Sequence, residues 1–364
     1  MVSVCHLLVF SIHNLYRYYL KKLVFSVLES FTDNFTNTAA LFLDAEAAFD
    51  KCWHNGIKYK LKKNLNLPDK IIRLISSFLS GRSLTILYEG CTSKKVTLGA
   101  GTPQGSPLSP LIYIIYVNDF PEDIKKLSSL SQFADDSAIW TSAYTRPYAV
   151  RKLQNSLNML EGWCRRWRVK LNGEKSKFMF IERLRSSDGE NYSLHLFNDI
   201  IRPTNQAKFL GIEIDDKLTF KNHIEAICTK SQKRLNVLRV LSRSKAGPKV
   251  LVQLYKTYIR PIIEYGSFCF LAAPKQQFMK LDKIQNEALR TCLHLPSYIR
   301  TSLLHEYASV KTLSTRLFDL NKKLLTKMST FSPDVKKLVE NYNADERAFE
   351  SAKTPLENLL NLCR

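Results

Sequence analysis

The amino-acid sequence predicts an α+β fold that gives way to a mostly helical region after about residue 216. Three observations predict it. Apolar runs of strand length interleave with stretches of helical period over residues 38–215, without the regular strand–helix repeat of a doubly wound sheet. Breaks rich in Gly and Pro separate those runs. Beyond residue 216 only the helical period persists. The 364 residues correspond to about two domains. With 45% hydrophobic and 24% charged residues, the composition is that of a globular protein and excludes a disordered or collagen-like chain.

Met1 to Leu20 is apolar, but it lacks a basic leading region and is interrupted by His6, His13, Asn14 and Arg17. It is therefore not expected to be a signal peptide. No run reaches the roughly 18–20 apolar residues of a membrane span, so no membrane partner is expected. Ala39 to Leu43 reads as a short buried strand ending at Asp44. Helical spacing follows from Ile57 to Leu65, and again from Pro68 to Leu79, with Pro at a tolerated first position and Gly81 as the stop. Leu84–Tyr88 and Lys95–Leu98 flank Glu89-Gly90 as two paired strands. A Gly- and Pro-dense loop over 99–107 precedes an apolar helix from Leu108 to Asn118.

Ser131–Phe133 and Ser137–Trp140 read as very short strands of a hairpin with Asp135-Asp136 at its turn. Val150, Leu153, Leu157, Leu160, Cys164 and Trp167 mark an amphipathic helix, and Lys177–Ile181 returns as a strand. After residue 216, Ile224, Cys228, Ser231, Leu235, Leu238 and Ser242 share one helix face, with Lys230, Lys233, Arg234, Arg239 and Arg243 on the others. Tyr255, Tyr258 and Tyr265 are expected to pack between helices.

The formal charge is +21, and it is uneven: residues 221–300 hold 15 basic and 4 acidic side chains. Such a bias points to a polyanionic partner. Its plainer reading, a solvated helix face, fits that imbalance less well. The 8 cysteines stand singly, which predicts neither a zinc site nor a disulfide framework and fits reduced thiols in an intracellular protein.

Asp44 at a strand end and the adjacent Asp135-Asp136 pair are the candidate chemistry. Neighbouring carboxylates repel, and seating them against apolar strands is costly unless a cation compensates. Mg²⁺ takes carboxylate oxygens and keeps positions open for phosphate and water. Two such ions about 3.5–4 Å apart stabilise the attacking and leaving oxygens of phosphoryl transfer. On spacing alone, a polar turn is the better reading of one Asp-Asp pair.

The neighbouring residues change that balance. Phe133-Ala134-Asp135-Asp136 resembles motif C of reverse transcriptases, and Leu43-Asp44-Ala45-Glu46-Ala47-Ala48-Phe49-Asp50 resembles their motif A. Gly101-Thr102-Pro103-Gln104-Gly105-Ser106-Pro107-Leu108-Ser109-Pro110 resembles motif B, and Leu171-Asn172-Gly173-Glu174-Lys175-Ser176 motif D. Phe209-Leu210-Gly211-Ile212 resembles the primer grip. The boxes stand in the family's order over about residues 30–325. Trp53-His54, Asn118-Asp119 and Tyr258-Ile259-Arg260-Pro261 further resemble non-LTR retrotransposons of the LINE-like jockey type. Group II intron maturases and telomerase share the architecture but resemble motifs A and B less.

The resemblance implies a right-hand polymerase palm over 38–215, built on an antiparallel sheet with helices. A basic helical thumb over 216–300 and a C-terminal helical region of unassigned role over 301–364 would follow. Residues 1–37 would be residual fingers or an unrelated segment. The implied activity is RNA-directed DNA polymerisation with two Mg²⁺ ions, a site Mn²⁺ also fits. Implied partners are an RNA template, a DNA primer, their hybrid duplex and deoxynucleoside triphosphates. The implied setting is the nucleus or a cytoplasmic ribonucleoprotein. Asp44, Asp135 and Asp136 would bind the metals, with Glu46 and Asp50 outside the ligand set. Phe49 would lie under the sugar, against the alternative of a core aromatic. Gln104 and Gly105 would line the nucleotide pocket, against the alternative of a plain turn. Lys175 would sit near the departing pyrophosphate, against the alternative of a solvated lysine. Phe209, Leu210 and Gly211 would form the primer grip. Lys230, Lys233, Arg234, Arg239 and Arg243 would contact nucleic acid. The family has a long fingers region before motif A, for which Asp44 leaves little room. The expectation is a palm and thumb portion, active or retained for nucleic-acid binding alone.

Overall fold

The computed structural model describes residues 37–182, 191–244, 246–270, 273 and 275–331. Its contacts divide it into two units, the described residues 37–210 and 211–331. The segment Met1–Leu20 lies outside the described residues.

In the first unit β1 (Asn37–Ala45) is followed by α1 (His54–Lys63), α2 (Asp69–Leu79) and four two-residue strands: β2 (Ser83–Leu84), β3 (Leu87–Tyr88), β4 (Cys91–Thr92) and β5 (Val96–Thr97). Then come α3 (Leu108–Val117), α4 (Ile124–Leu127), β6 (Ser129–Phe133), β7 (Asp136–Ala143) and α5 (Arg146–Trp167). The unit closes with β8 (Leu171–Glu182), β9 (Leu194–Leu196), β10 (Asp199–Ile201) and β11 (Gln206–Phe209). The central sheet has the order β6-β7-β1-β8, each neighbouring pair antiparallel. The architecture is α+β, as the sequence predicts.

β1 lies in the middle because it is apolar on both faces; Asn37 through Leu43 are all buried. Ala39, Leu41 and Leu43 join a core with α1, α3 and α5, to which α5 contributes Leu153, Leu157, Leu160, Trp163, Cys164 and Trp167. At roughly 25 cal/mol per Å² of apolar surface removed from water, this face is the main source of the unit's cohesion. α5 begins four residues before its first periodic apolar position, with a proline in its first turn, where no intrahelical N–H is needed. It stops at Arg168, which is left-handed with φ 56°.

Two expectations change. The segment 84–98 forms two separate small ladders rather than one pair: β2 pairs with β5, and β3 with β4. The return strand is also longer than Lys177–Ile181. β8 continues back to Leu171 because Asp44 and Ala45 still offer backbone partners to Asn172 and Leu171.

In the second unit β12 (Ile212–Asp215) leads to α6 (Lys221–Ser242), α7 (Pro248–Leu254), a π-helical turn Tyr255–Ile259, and α8 (Arg260–Glu264). The short α9 (Ser267–Phe270), α10 (Lys275–Leu293), α11 (Thr301–Ala308) and α12 (Leu313–Phe331) complete it. Asp215 organises the entry to α6, its carboxylate accepting from the N–H groups of Lys217 at 3.2 Å, Thr219 at 2.8 Å and Phe220 at 2.7 Å. α6 buries Ile224, Ile227, Ser231, Leu235 and Leu238, close to the predicted face, and packs against α10. Tyr255 is buried and donates to Gln285 at 2.7 Å. Tyr258 does not pack between helices; it is exposed beside Arg234. Among the described residues, no helix is long and apolar enough to cross a membrane.

Candidate active site

Asp44 stands near the end of β1 because the apolar run that buries the strand ends there. β6 and β7 are joined by the two-residue turn Ala134-Asp135, with Phe133 paired to Asp136. Ala134 is left-handed at φ 53°, a conformation uncommon for a residue with a Cβ and found where the surroundings enforce it. The tight turn presents Asp135 to solvent and starts β7 on Asp136.

Leu43 is the last residue of β1 paired to β7, with Ser137. One further step along both strands sets Asp44 opposite Asp136, so the two carboxylates share a face of the sheet. The partner of Asp44 across the strands is thus Asp136, with Asp135 at the turn beside it. Burial first, then the charges of Asp135 and Asp44, push the Asp136 carboxyl up to about 6. The Leu210 backbone hydrogen bond and the charge of Lys208 pull in the other direction. Three oxygen-donor side chains held in mutual repulsion fit a hard divalent cation in charge and chemistry. Among the described residues, no three His, Cys, Asp or Glu side chains are grouped closely enough to hold one ion. The carboxylates are neighbours, not a closed ligand cage.

On the other side of β1 the ladder slips. Phe42 pairs with Lys177 but Asp44 pairs with Asn172, so residues 173–176 of β8 bulge beside Asp44. Ser176 Oγ receives the Asp44 N–H at 3.3 Å and donates to the Asn172 carbonyl at 2.6 Å. Lys175 rides on this bulge, exposed, with its N–H donating to Asn172 Oδ1 at 3.1 Å. It lies on a bulged strand, not in a free loop.

Phe49 follows in the turn after β1, partly buried, its ring centroid 4.8 Å from that of Tyr113 on α3. The charge of Asp135 reaches the buried Tyr113 phenol, which desolvation holds far above its usual range. Glu46 is committed elsewhere: ion pairs with Lys170 at 2.8 Å and Lys51 at 2.7 Å hold its carboxyl down to about 2. Gln104 is exposed on the loop before α3 and donates from Nε2 to Asp50 Oδ1 at 2.9 Å. Gly105 beside it is left-handed at φ 83°. Phe209 is buried with its ring 5.4 Å from Phe42, which ties β11 to β1. Leu210 is left-handed at φ 49° and reaches Asp136 through its backbone.

In the second unit, Gly211, Lys230, Lys233 and Arg234 line one groove of about 630 Å³ whose apolar wall includes Ile227, Ile262 and Tyr265. Arg234 donates to the Tyr258 carbonyl and stacks 4.4 Å from its ring. Arg239 is ion-paired with Glu287, both side chains partly exposed. Arg243 sits at the C-terminal cap of α6 and is not among the groove-lining residues.

Sequence reading missed two features. Lys60 is 1% exposed, yet its ammonium meets Asp119 and the Tyr116 carbonyl and lies 3.7 Å from the Trp167 ring centroid. His54 and Arg82 both contact the Gly101 carbonyl. No spacing rule signals either, because both depend on contacts between distant segments.

The site is a strand-end aspartate facing an Asp-Asp hairpin on an antiparallel sheet. Residues 9–214 match the family described as reverse transcriptase (RNA-dependent DNA polymerase), and the chain belongs to that family. Within it, the chain is similar to polymerases of mobile elements. It is 30% identical over 301 residues to a probable RNA-directed DNA polymerase from transposon BS of Drosophila melanogaster, covering 80% of this chain and 33% of that protein. It is also 30% identical over 303 residues to the RNA-directed DNA polymerase from mobile element jockey of the same species, covering 79% and 32%. The chain thus spans about a third of the length of these curated relatives. A solved telomerase from Candida Tropicalis, in complex with a telomeric RNA fragment, has a TM-score of 0.41 at 13% identity, covering 80% of this chain and 52% of that one. No residue role is carried over from it.

Proposed function

We propose that this chain is the palm and thumb portion of an RNA-directed DNA polymerase of a non-LTR retrotransposon, adding deoxynucleotides to a primer 3′-hydroxyl. The observation that carries this reading is the register that sets Asp44 opposite Asp136, beside Asp135, with Asp136 pushed up to about 6 by burial and by those two charges. Asp44, Asp135 and Asp136 would supply the carboxylate ligands of two divalent cations, Mg²⁺ or Mn²⁺, once drawn closer together than they stand here. Such ions, when bound, stabilise the attacking and leaving oxygens of an in-line displacement.

The chain's own residues do the positioning. Phe49, backed by Tyr113, would close the space beneath the incoming sugar and exclude a 2′-hydroxyl. Gln104 and Gly105 would line the pocket, the glycine allowing backbone close to the ligand. Lys175, carried to the level of Asp44 by the β8 bulge, would place a cation near the departing pyrophosphate. Phe209, Leu210 and Gly211 would grip the primer end. Lys230, Lys233 and Arg234 would hold the duplex through its phosphates, against an RNA template and DNA primer. A nucleic-acid-binding role without catalysis is the second reading, supported by the same basic groove.

Primer extension on an RNA template, run beside duplex binding, separates the two. The chain should incorporate deoxynucleotides with Mg²⁺, and Asp135→Asn should nearly abolish incorporation while leaving binding within about twofold, because binding rests on phosphate contacts. Equal extension by Asp135→Asn and the parent would remove the catalytic assignment. Binding without extension by the parent would leave the second reading.

A further inference from the structure

The loop that carries Gln104 and Gly105 is held at its root by side chains outside the five motifs. Gly101 donates its N–H to the Cys52 carbonyl at 2.9 Å, and Thr102 donates to the Phe49 carbonyl at 2.8 Å. These two bonds tie the start of the loop to the turn that carries Phe49. The Gly101 carbonyl accepts from His54 Nε2 at 2.7 Å and also from Arg82 Nη2. Arg82 Nη2 also lies 3.4 Å from His54 Nε2; the shorter contact, to a carbonyl that can only accept, favours the tautomer with the proton on Nε2. Arg82 donates to the Ala100 carbonyl at 3.0 Å as well, and its Nε bonds the Leu79 carbonyl at 3.2 Å. One guanidinium therefore bridges the end of α2 to the loop, while His54 bridges the start of α1 to the same peptide. Gly101 itself is left-handed at φ 83°, and a Cβ there would lie 2.6 Å from the Asp50 carbonyl oxygen. The approach is close enough that small movements of the Gly101 peptide transmit to residues 49–52.

We propose that His54 and Arg82 are positioning residues for the deoxynucleotide pocket, clamping the Gly101 peptide and so fixing the span between Phe49 and Gln104-Gly105. Each acts through the loop, by its bonds to the Gly101 and Ala100 carbonyls. This inference rests on the polymerase reading. It gives His54 of the Trp53-His54 pair a physical role. The span matters because a misplacement of about 1 Å at a positioning contact costs up to roughly a hundredfold in rate.

The test compares the parent chain with His54→Ala, His54→Gln and Arg82→Ala. Extension kinetics with deoxy- and ribonucleotides, equilibrium binding of a fluorescent deoxynucleoside triphosphate without turnover, and amide exchange at Gly101 and Thr102 are measured for each. His54→Ala and Arg82→Ala should raise KM and weaken triphosphate binding roughly tenfold, within the range of misplacement effects, with kcat less affected. The preference for deoxynucleotides should narrow. The Gly101 and Thr102 amides should exchange faster while β1 and β7 stay protected. His54→Gln keeps an N–H donor at that position and should restore most of the affinity. Parent-like affinity, preference and exchange in both alanine variants would overturn the proposal. A parallel fall in kcat and melting temperature with affinity unchanged would overturn it too. A parent that binds the triphosphate but extends no primer defeats the polymerase reading alone, and the affinity ratio still decides the clamp. A parent that binds no triphosphate overturns both.

Discussion

Asp136 is the residue at which the first unit works against its own stability. Its folded-state pKa of about 6 lies above the roughly 3.9 of an unfolded aspartate. Between those values the folded chain binds more protons than the unfolded chain, so this group's contribution falls as pH rises from about 4 to 6 and is level above. Asp136→Asn removes the charge and keeps an acceptor for the Leu210 N–H. In chelator at pH 7.5 the variant should be more stable than the parent by the order of 1 kcal/mol, after discounting for solvent screening at a half-buried carboxyl. That corresponds to about 2–4 °C in melting temperature, and the difference should vanish near pH 4. Millimolar Mg²⁺ should raise the parent's melting temperature and not the variant's, because an ion relieves the same repulsion. A variant that melts with or below the parent at pH 7.5 would show that Asp136 carries no such penalty.

At the scale of elements, α1 is pinned by a buried cation. Lys60 sits under Trp167 and against Asp119, whose other oxygen receives Asn64 Nδ2 at 3.2 Å while Trp163 Nε1 donates at 3.1 Å. Burial lowers the ammonium pKa, and the bond to Asp119 opposes that shift. Lys60→Ala strands Asp119 without its cation and opens a cavity between the indoles. Asp119 is partly exposed and keeps its Asn64 and Trp163 donors, so the cost should fall short of the roughly 3–5 kcal/mol of breaking a fully buried pair. Lys60→Met refills the volume and should cost less, and urea midpoints of the two variants check the order. This element also marks the limit of what the sequence made legible. The strand ending at Asp44, the Asp135-Asp136 hairpin, α5 and the buried face of α6 were readable because each is a local pattern of burial or turn chemistry. Lys60 and the His54–Arg82 clamp were not, since each depends on segments 19 to 59 residues apart. The Gly173–Ser176 bulge was hidden for a related reason. Its register is set by β1, so the place of Lys175 on the bulge could not be read from residues 171–176 alone.

At the scale of the whole molecule, the formal charge of +21 sets a long-range attraction to polyanions, but only charges free to meet phosphates set the affinity. Of the five basic side chains expected to contact nucleic acid, four lie on α6 and Arg243 caps it; Arg239 is ion-paired with Glu287, whereas Lys230, Lys233 and Arg234 line a common groove. Three phosphate contacts at about −0.9 each predict a slope of log K against log salt near −3 on B-form DNA, shallower than the −4 to −5 of a five-contact helix. An RNA–DNA hybrid has its own charge spacing, so the comparison between variants carries the argument. Lys230→Gln with Lys233→Gln should make the slope shallower by about 2 and weaken binding alike on every sequence, since phosphate contacts position without reading bases. Arg239→Gln should leave the slope nearly unchanged, because its charge already faces a carboxylate. Titrations of the full chain with a fluorescent primer–template at several salt concentrations measure all three. A slope insensitive to the Lys230 and Lys233 changes, or one that flattens for Arg239→Gln instead, would move the phosphate track off the groove.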